Sequence, residues 1–166
     1  MTIREATLDD LDLLTRLRVD FMGEIWPEAG AAVDEAATPE TADWIRRMME
    51  EGRLLSWLLY EGGTLRAAAS LLLYELPPKP GVRRLNGQVL NVYTKKEARR
   101  RGYGRRLMEH LVAEAGRRGV YQLELHATAD GEPLYRQLGF AEPECPWLEL
   151  RLSQAPPVRP SCKSTM

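Results

Sequence analysis

The chain has 166 residues, of which 44% are hydrophobic and 28% charged, and its formal net charge at pH 7 is −1. A chain of this length buries about 70% of the surface that its extended form exposes, so its core needs no disulfide or structural metal, and two cysteines with two histidines predict no metal site. The near-zero charge predicts no nucleic-acid partner, and without a secretory leader or about 18 consecutive apolar residues we expect a cytoplasmic protein with no membrane association.

The N-terminal third is predicted to form one strand followed by two helices. The strand covers Ile3–Ala6. Thr7 is a suitable N-cap for the first helix, because three aspartates follow in the opening turn, where the helix dipole favours negative charge. Thr38 and Pro39 are typical of the cap and first residue of the second helix, which ends at Gly52.

The middle of the chain is predicted to be a β-hairpin, and helices and strands follow it. Two apolar runs, Leu54–Tyr60 and Leu65–Leu76, flank a Gly62-Gly63 turn. The pattern then predicts a strand, a long helix, a strand, a short helix and a last strand, at Gly87–Thr94, Gly102–Gly119, Gln122–Thr128, Pro133–Leu138 and Trp147–Leu152. We interpret residues 1–153 as a single domain, and the proline-rich residues 154–166 as a disordered tail.

The most informative segment is Arg99–Arg106, in which five of eight residues are arginine. It lies between a predicted strand and the first turn of a helix, where Gly102 and Gly104 let the backbone approach a ligand and unpaired amides suit an anion. Cations at a helix N-terminus oppose its dipole unless an anion joins them, so this segment predicts a pyrophosphate site. A solvated basic surface is the alternative. The phosphate loop Gly-x4-Gly-Lys-Ser/Thr is absent, and Leu107 breaks the dinucleotide fingerprint Gly-x-Gly-x-x-Gly.

This segment resembles the acyl-CoA motif of the GNAT superfamily of N-acetyltransferases, Arg/Gln-x-x-Gly-x-Gly/Ala, through Arg99, Gly102 and Gly104. The ending Leu134-Tyr-Arg-Gln-Leu-Gly-Phe140 also resembles that family, and the resemblance runs from Thr2 to about Leu152. It implies the α/β (α+β) GNAT acyl-CoA N-acyltransferase fold, a mixed, largely antiparallel central sheet with helices on both faces. It also implies acetyl-CoA as co-substrate and no metal.

The same resemblance implies roles for individual residues. Backbone groups of Val92 and Thr94 would pair with the pantetheine arm, and Tyr135 would lie near the thioester sulfur. Thr128 stands where many relatives carry asparagine and is included among the cofactor contacts. Gln88 stands where some relatives place a carboxylate base, and an amide cannot accept that proton. The turn would bind the pyrophosphate through Arg99, Arg100, Arg101, Gly102, Tyr103, Gly104 and Arg105.

Acetyl transfer to an amine requires a neutral nucleophile and a proton for the departing thiolate. We expect Tyr135 to supply that proton, the alternative being a packing tyrosine. His126 is the leading base because imidazole titrates near neutral pH and strand alternation puts Glu124, His126 and Thr128 on one face. A buried structural histidine, Glu75, Glu24, a water chain or no dedicated base are the alternatives.

The acceptor site is predicted from Asn91, Tyr93, Glu24 and Glu75. Asn91 and Tyr93 alternate away from Val92, and Glu24 belongs to an acidic stretch that would suit a cationic acceptor. We therefore predict an N-acetyltransferase that moves the acetyl group of acetyl-CoA directly to a primary amine of a small molecule or peptide. The alternative is a non-catalytic CoA-sensing or protein-binding module on the same fold. Whether the protein is a homodimer is left open.

Overall fold

The computed structural model describes residues 1–25, 37–80, 82–146, 148–150 and 152. The chain divides into two compact units, Met1–Leu125 and His126–Met166. In the described part of the chain, the first unit holds a five-stranded sheet and three α-helices, and the second holds one short α-helix. The elements are β1 (Thr2–Glu5), α1 (Leu11–Ile25), α2 (Ala37–Glu50), β2 (Leu54–Glu61), β3 (Thr64–Lys79), β4 (Val82–Thr94), α3 (Tyr103–Arg117), β5 (Gln122–Glu124) and α4 (Glu132–Gln137).

The strands lie in the order β1-β2-β3-β4-β5. Neighbours from β1 to β4 run antiparallel, whereas β5 runs parallel to β4. The prediction of a mixed, largely antiparallel sheet is therefore confirmed.

Helices cover both faces of this sheet. Leu58 of β2 is fully buried in one core with Leu14 of α1 and Ile45 of α2. The ring of the adjacent Trp57 packs edge-on against His110 of α3, with centroids 6.1 Å apart. Because successive side chains of a strand point to opposite faces, α1 and α2 lie on one face and α3 on the other.

The β3–β4 hairpin is longer than predicted. Pro77 and Pro78 were expected to end the second strand, but β3 continues through them to Lys79, and β4 begins at Val82 rather than Gly87. β2 pairs with β3 only as far as Leu72, so both prolines lie where one side of β3 has no described strand neighbour. A residue without an N–H donor is tolerated there.

The last two predicted strands are wrong in part. β5 ends at Glu124 instead of Thr128, because it pairs with β4 only at Asn86–Gln88 and a strand persists only where its backbone groups find partners. Between 147 and 152, the described residues belong to no strand, and Leu148 and Leu150 are 88% and 83% exposed. The predicted tail and the segment 26–36 lie outside the described residues.

Candidate active site

A β-bulge interrupts β4 in the middle of the sheet. Ala68 of β3 pairs with Tyr93 and Ser70 pairs with Leu90, so two residues of β4 stand opposite one residue of β3. Asn91 in the bulge has a φ of 53°, in the left-handed region that asparagine tolerates better than most residues. The bulge redirects the side chains of β4 toward α1.

One edge of β4 is open at the bulge. β5 pairs with Asn86–Gln88, and past Gln88 no other described strand lies on that side of β4. Val92 and Thr94, the two residues predicted to pair with a pantetheine arm, lie on this stretch. Main-chain groups on an open strand edge can hydrogen-bond an extended ligand, as in β-strand addition.

The arginine-rich turn leads from β4 into α3. Arg100 and Gly102 both have positive φ, 60° and 80°, and Gly102 is the N-cap of α3. The first backbone amides of α3 have no helical partner and carry the positive end of the helix dipole. This is the backbone arrangement that binds phosphate groups.

Glu24 of α1 contacts both the arginine-rich turn and the part of β4 next to the bulge. It forms an ion pair with Arg99, and Lys96 Nζ lies 3.7 Å from its Oε1. The Tyr93 hydroxyl donates to Glu24 Oε1 at 2.8 Å, and the Arg99 guanidinium lies over the Tyr93 ring, 5.9 Å from its centroid. Two cations of the chain itself therefore neutralise the carboxylate that was expected to attract a cationic acceptor.

The ionisation of this cluster follows from its contacts. Burial opposes the charge on Glu24, but hydrogen bonds from Arg99 and Tyr93 outweigh it and hold the pKa of the carboxyl below its usual range. Burial, together with the hydrogen bond to Glu24, raises the pKa of Tyr93 to about 12. At neutral pH the cluster thus holds an ionised carboxylate and a neutral phenol.

We expect Glu24→Gln to lower the free energy of unfolding by about 1 kcal/mol at pH 7, since the pair is partly exposed to solvent. The folded-state pKa is the lower one, so this stabilisation is present above the unfolded pKa of about 4.3 and is lost as pH falls further. Urea denaturation of both proteins between pH 3 and 7 should show curves that converge at the acid end. Glu109→Gln, which removes an exposed helical pair with Arg105, should change stability less.

The structure brings three of the four predicted acceptor residues together. Asn91 and Tyr93 project from the bulge to contact Arg18 and Glu24 of α1. An open cleft of about 360 Å³ adjoins Tyr93 and Glu24, and its other lining residues are Asp20, Gly23, Lys95, Lys96 and Glu97. Glu75 is not part of this group, because it is exposed on β3 opposite Leu85, six positions before Asn91.

The turn side chains differ in what they contact. The Tyr103 hydroxyl donates to the carboxylate of Glu61, and the ring is buried. Arg99 Nε donates to the Thr94 carbonyl oxygen at 3.1 Å, which fixes the turn against β4. Arg100 is exposed and makes no ion pair with a described residue.

In the second unit, Thr128 accepts hydrogen bonds from backbone amides at the start of α4. Its Oγ1 accepts from the Gly131 N–H at 3.2 Å, and its carbonyl oxygen accepts from the Glu132 N–H at 2.9 Å. Both polar groups of Thr128 are thus used locally. His126 is exposed and lies beyond the end of β5, so the strand alternation argued for it does not apply.

Tyr135 lies on α4 with its ring edge-on against Phe140, at a centroid distance of 6.0 Å. Burial raises the pKa of Tyr135 to about 12. Its hydroxyl has no hydrogen-bond partner among the residues that the structure describes. This phenol is therefore neutral at physiological pH.

Two groups of polar residues have contacts that the sequence did not predict. Arg18 of α1 donates a hydrogen bond to Asn91. The sequence feature that could have indicated this contact is the position of Arg18, four residues after Leu14 in the apolar stripe of that helix. The second group is formed by Tyr74, Asn86 and Glu124: the Tyr74 hydroxyl donates to Glu124 at 2.7 Å, and the buried Asn86 Oδ1 has no described partner. Sequence offers little signal for it, since the three residues come from three strands.

The Acetyltransferase (GNAT) family model matches residues 13–140 of the chain. The chain belongs to this family. It is 31% identical to a GCN5-related N-acetyltransferase from Ralstonia eutropha JMP134, with 90% of this chain and 97% of that one covered and a TM-score of 0.75. A Clostridium acetobutylicum protein described as a predicted acetyltransferase, crystallised with acetyl-CoA, is 25% identical over 91% of this chain and 96% of that one, with a TM-score of 0.78.

More distant structures share the GNAT fold. The glucosamine-6-phosphate N-acetyltransferase of Arabidopsis thaliana is 15% identical, covers 90% of this chain and 97% of its own, and has a TM-score of 0.61. No protein of curated function matches the sequence. Within the described residues, no helix is long and apolar enough to cross a membrane, and no group of three or more His, Cys, Asp or Glu side chains could hold a metal ion.

Proposed function

We propose that this GNAT protein is an acetyl-CoA-dependent enzyme that transfers the acetyl group directly to a primary amine of a small molecule or peptide. The observation that carries the proposal is the open edge of β4 at the bulge, followed at once by the glycine-arginine turn at the start of α3. An extended arm and a pyrophosphate joined to it are the two parts of CoA that such a combination suits. The Clostridium relative crystallised with acetyl-CoA supports the same co-substrate.

In this proposal, the backbone of Val92 and Thr94 binds the pantetheine arm, and the backbone amides from Arg100 to Arg105 bind the pyrophosphate. Arg100 and Arg101 add charge from exposed side chains. Arg99 stays in the proposed pyrophosphate turn, and its guanidinium contacts Glu24 and the Thr94 carbonyl oxygen. Its role is to hold the turn in place. Thr128 is proposed to contribute to cofactor binding through its hydrogen bonds at the start of α4.

The proposed reaction is a direct displacement. The neutral amine attacks the thioester carbonyl, the C–N bond forms, and a backbone amide near Val92 stabilises the oxyanion. The C–S bond then breaks, Tyr135 gives its proton to the departing thiolate, and the proton lost by the amine passes to a base or to water. A phenol with a pKa of about 12 stays protonated until the thiolate departs.

The rival hypothesis is a CoA-sensing or protein-binding module that does not turn over. Incubation of the purified protein with acetyl-CoA and pooled amines, followed by thiol detection, separates the two. An enzyme releases CoA in proportion to acetylated amine. Binding of CoA without acceptor-dependent thiol release would favour the module.

We propose His126 as the general base, because an imidazole nitrogen can accept a proton and this side chain is exposed beyond β5. At saturating acetyl-CoA, the rate of the wild type should rise with pH through an ionisation that is absent from His126→Gln. The ionisation of the acceptor amine should remain in both proteins. Equal rates and pH profiles would remove His126 from the mechanism and leave a carboxylate, a water chain or an already neutral amine.

The wider expectations belong to the same proposal. We propose that residues 1–153 form a single catalytic domain and that the protein is cytoplasmic. Because its net charge is near zero, we also propose that it has no nucleic-acid partner.

A further inference from the structure

Arg18 stands out as a half-buried cation beside the bulge. Its Nη1 donates to Asn91 Oδ1 at 2.6 Å, and its guanidinium lies over the Phe21 ring at 5.9 Å. No carboxylate among the described residues forms an ion pair with it, whereas Arg99 nearby is paired with Glu24. Because the guanidinium is partly removed from water, burial lowers the pKa of Arg18. A cation that is removed from water and left without an anion is costly.

The remaining donors of Arg18 suit an oxyanion. A guanidinium presents five N–H groups in a planar fork, and Asn91 accepts from one nitrogen only. That fork matches the oxygens of a carboxylate or phosphate in a bidentate arrangement. Phe21, which the Arg18 guanidinium covers, packs edge-on against Tyr93 with ring centroids 6.4 Å apart.

The charges of this side of the bulge therefore differ from the sequence-based expectation. Glu24 is neutralised by Arg99 and Lys96, so it offers little attraction to a cationic acceptor. Arg18 is a half-buried cation without a described counter-ion, whereas Asp20 and Glu97, the other carboxylates that line the adjoining cleft, are exposed. We propose that Arg18 is the anion-binding group of the acceptor site, and that the acceptor is an amine that also carries a carboxylate or phosphate. The inference rests on the proposed function.

The test uses matched acceptors with the purified full chain and acetyl-CoA. Leucine is compared with leucinamide, and glucosamine 6-phosphate with glucosamine, with thiol release expressed per concentration of free amine to correct for differing amine pKa values. In at least one pair, kcat/KM of the wild type should favour the anionic member by about 10-fold or more, the effect of a hydrogen bond to a charged group. A preference for leucine over leucinamide would identify the anion of the acceptor as a carboxylate, and a preference for glucosamine 6-phosphate over glucosamine would identify it as a phosphate.

Two variants should abolish this preference by opposite means. Arg18→Gln removes the cation, and Asn91→Asp places a carboxylate beside it; aspartate also tolerates the left-handed backbone of position 91. In both variants the ratio of kcat/KM for the anionic acceptor to kcat/KM for its neutral partner should fall about 10-fold or more. Arg16→Gln is the matched control, since Arg16 is exposed on the same helix. Melting temperatures and CoA affinity are measured for all variants.

The outcomes separate the two proposals. If the wild type acetylates neutral amines as efficiently as anionic ones, the proposed role of Arg18 is wrong, whether or not the variants fold. The proposed acetyltransferase activity is not affected by that result. An equal loss for both members of a pair in Arg18→Gln would also overturn the role of Arg18. A selective loss of CoA affinity in Arg18→Gln would assign its anion to the co-substrate and overturn the acceptor role. No thiol release with any amine overturns the proposed function, and this inference with it.

Discussion

Gly104→Val is expected to weaken CoA binding by about 100-fold or more, equivalent to the loss of about 3 kcal/mol of binding free energy. Gly104 is the second residue of α3, where backbone amides have no helical partner and would contact the pyrophosphate. A branched side chain there would keep the phosphate away from those amides. Isothermal titration with CoA measures the affinity, and the wild type should gain melting temperature with CoA while the variant should not.

Gly116→Val provides the matched control for this prediction. It makes the same change in the same helix, far from the turn, and a Cβ at Gly116 would have no neighbour within 4 Å among the described residues. Valine has a higher helix propensity than glycine, so both variants should fold. Wild-type CoA affinity in a folded Gly104→Val protein would contradict the pyrophosphate site.

Tyr135→Phe is expected to lower turnover by about 10- to 1,000-fold with little change in CoA affinity. The substitution removes a hydroxyl that has no hydrogen-bond partner among the described residues, so stability should be nearly unchanged. Because burial raises the pKa of Tyr135 to about 12, its proton remains bound through the alkaline range. Ionisation of Tyr135 should therefore cause no decline of the wild-type rate below about pH 10. In that range, the pH profiles of the wild type and Tyr135→Phe should have the same shape.

Steady-state thiol release from pH 6 to 10 measures both effects. The control is Tyr121→Phe, since Tyr121 is an exposed tyrosine just before β5 and should tolerate the change. Turnover at the wild-type rate in folded Tyr135→Phe would return this residue to a packing role, and the thiolate would then take its proton from water.

Local signals in the sequence were sufficient for most elements of the first unit. Cap residues predicted α1 and α2, the apolar pattern predicted α3, and the Gly62-Gly63 turn predicted the hairpin of β2 and β3. These features depend on residues within a few positions of one another, where helix periodicity and turn chemistry act directly. For the same reason, the local pattern alone places the arginine-glycine turn between a strand and a helix.

The architecture of the candidate site required contacts between distant segments. The bulge at Asn91 arises from pairing with β3, and the length of β5 depends on how far β4 accompanies it. Neither has a local sequence signature, because strand pairing is decided by the partner strand as much as by the strand itself.

The sequence by itself determined the family, the order of the helices and the glycine turn that binds the phosphate in our proposal, because each depends on a short, contiguous pattern. Only the tertiary structure decided which charges remain uncompensated. Glu24 and Arg99 are 75 residues apart in the chain and form an ion pair, whereas Arg18 reaches across 73 residues to a neutral amide. The charge that an acceptor meets is a sum over such long-range pairs, and composition or spacing cannot supply that sum.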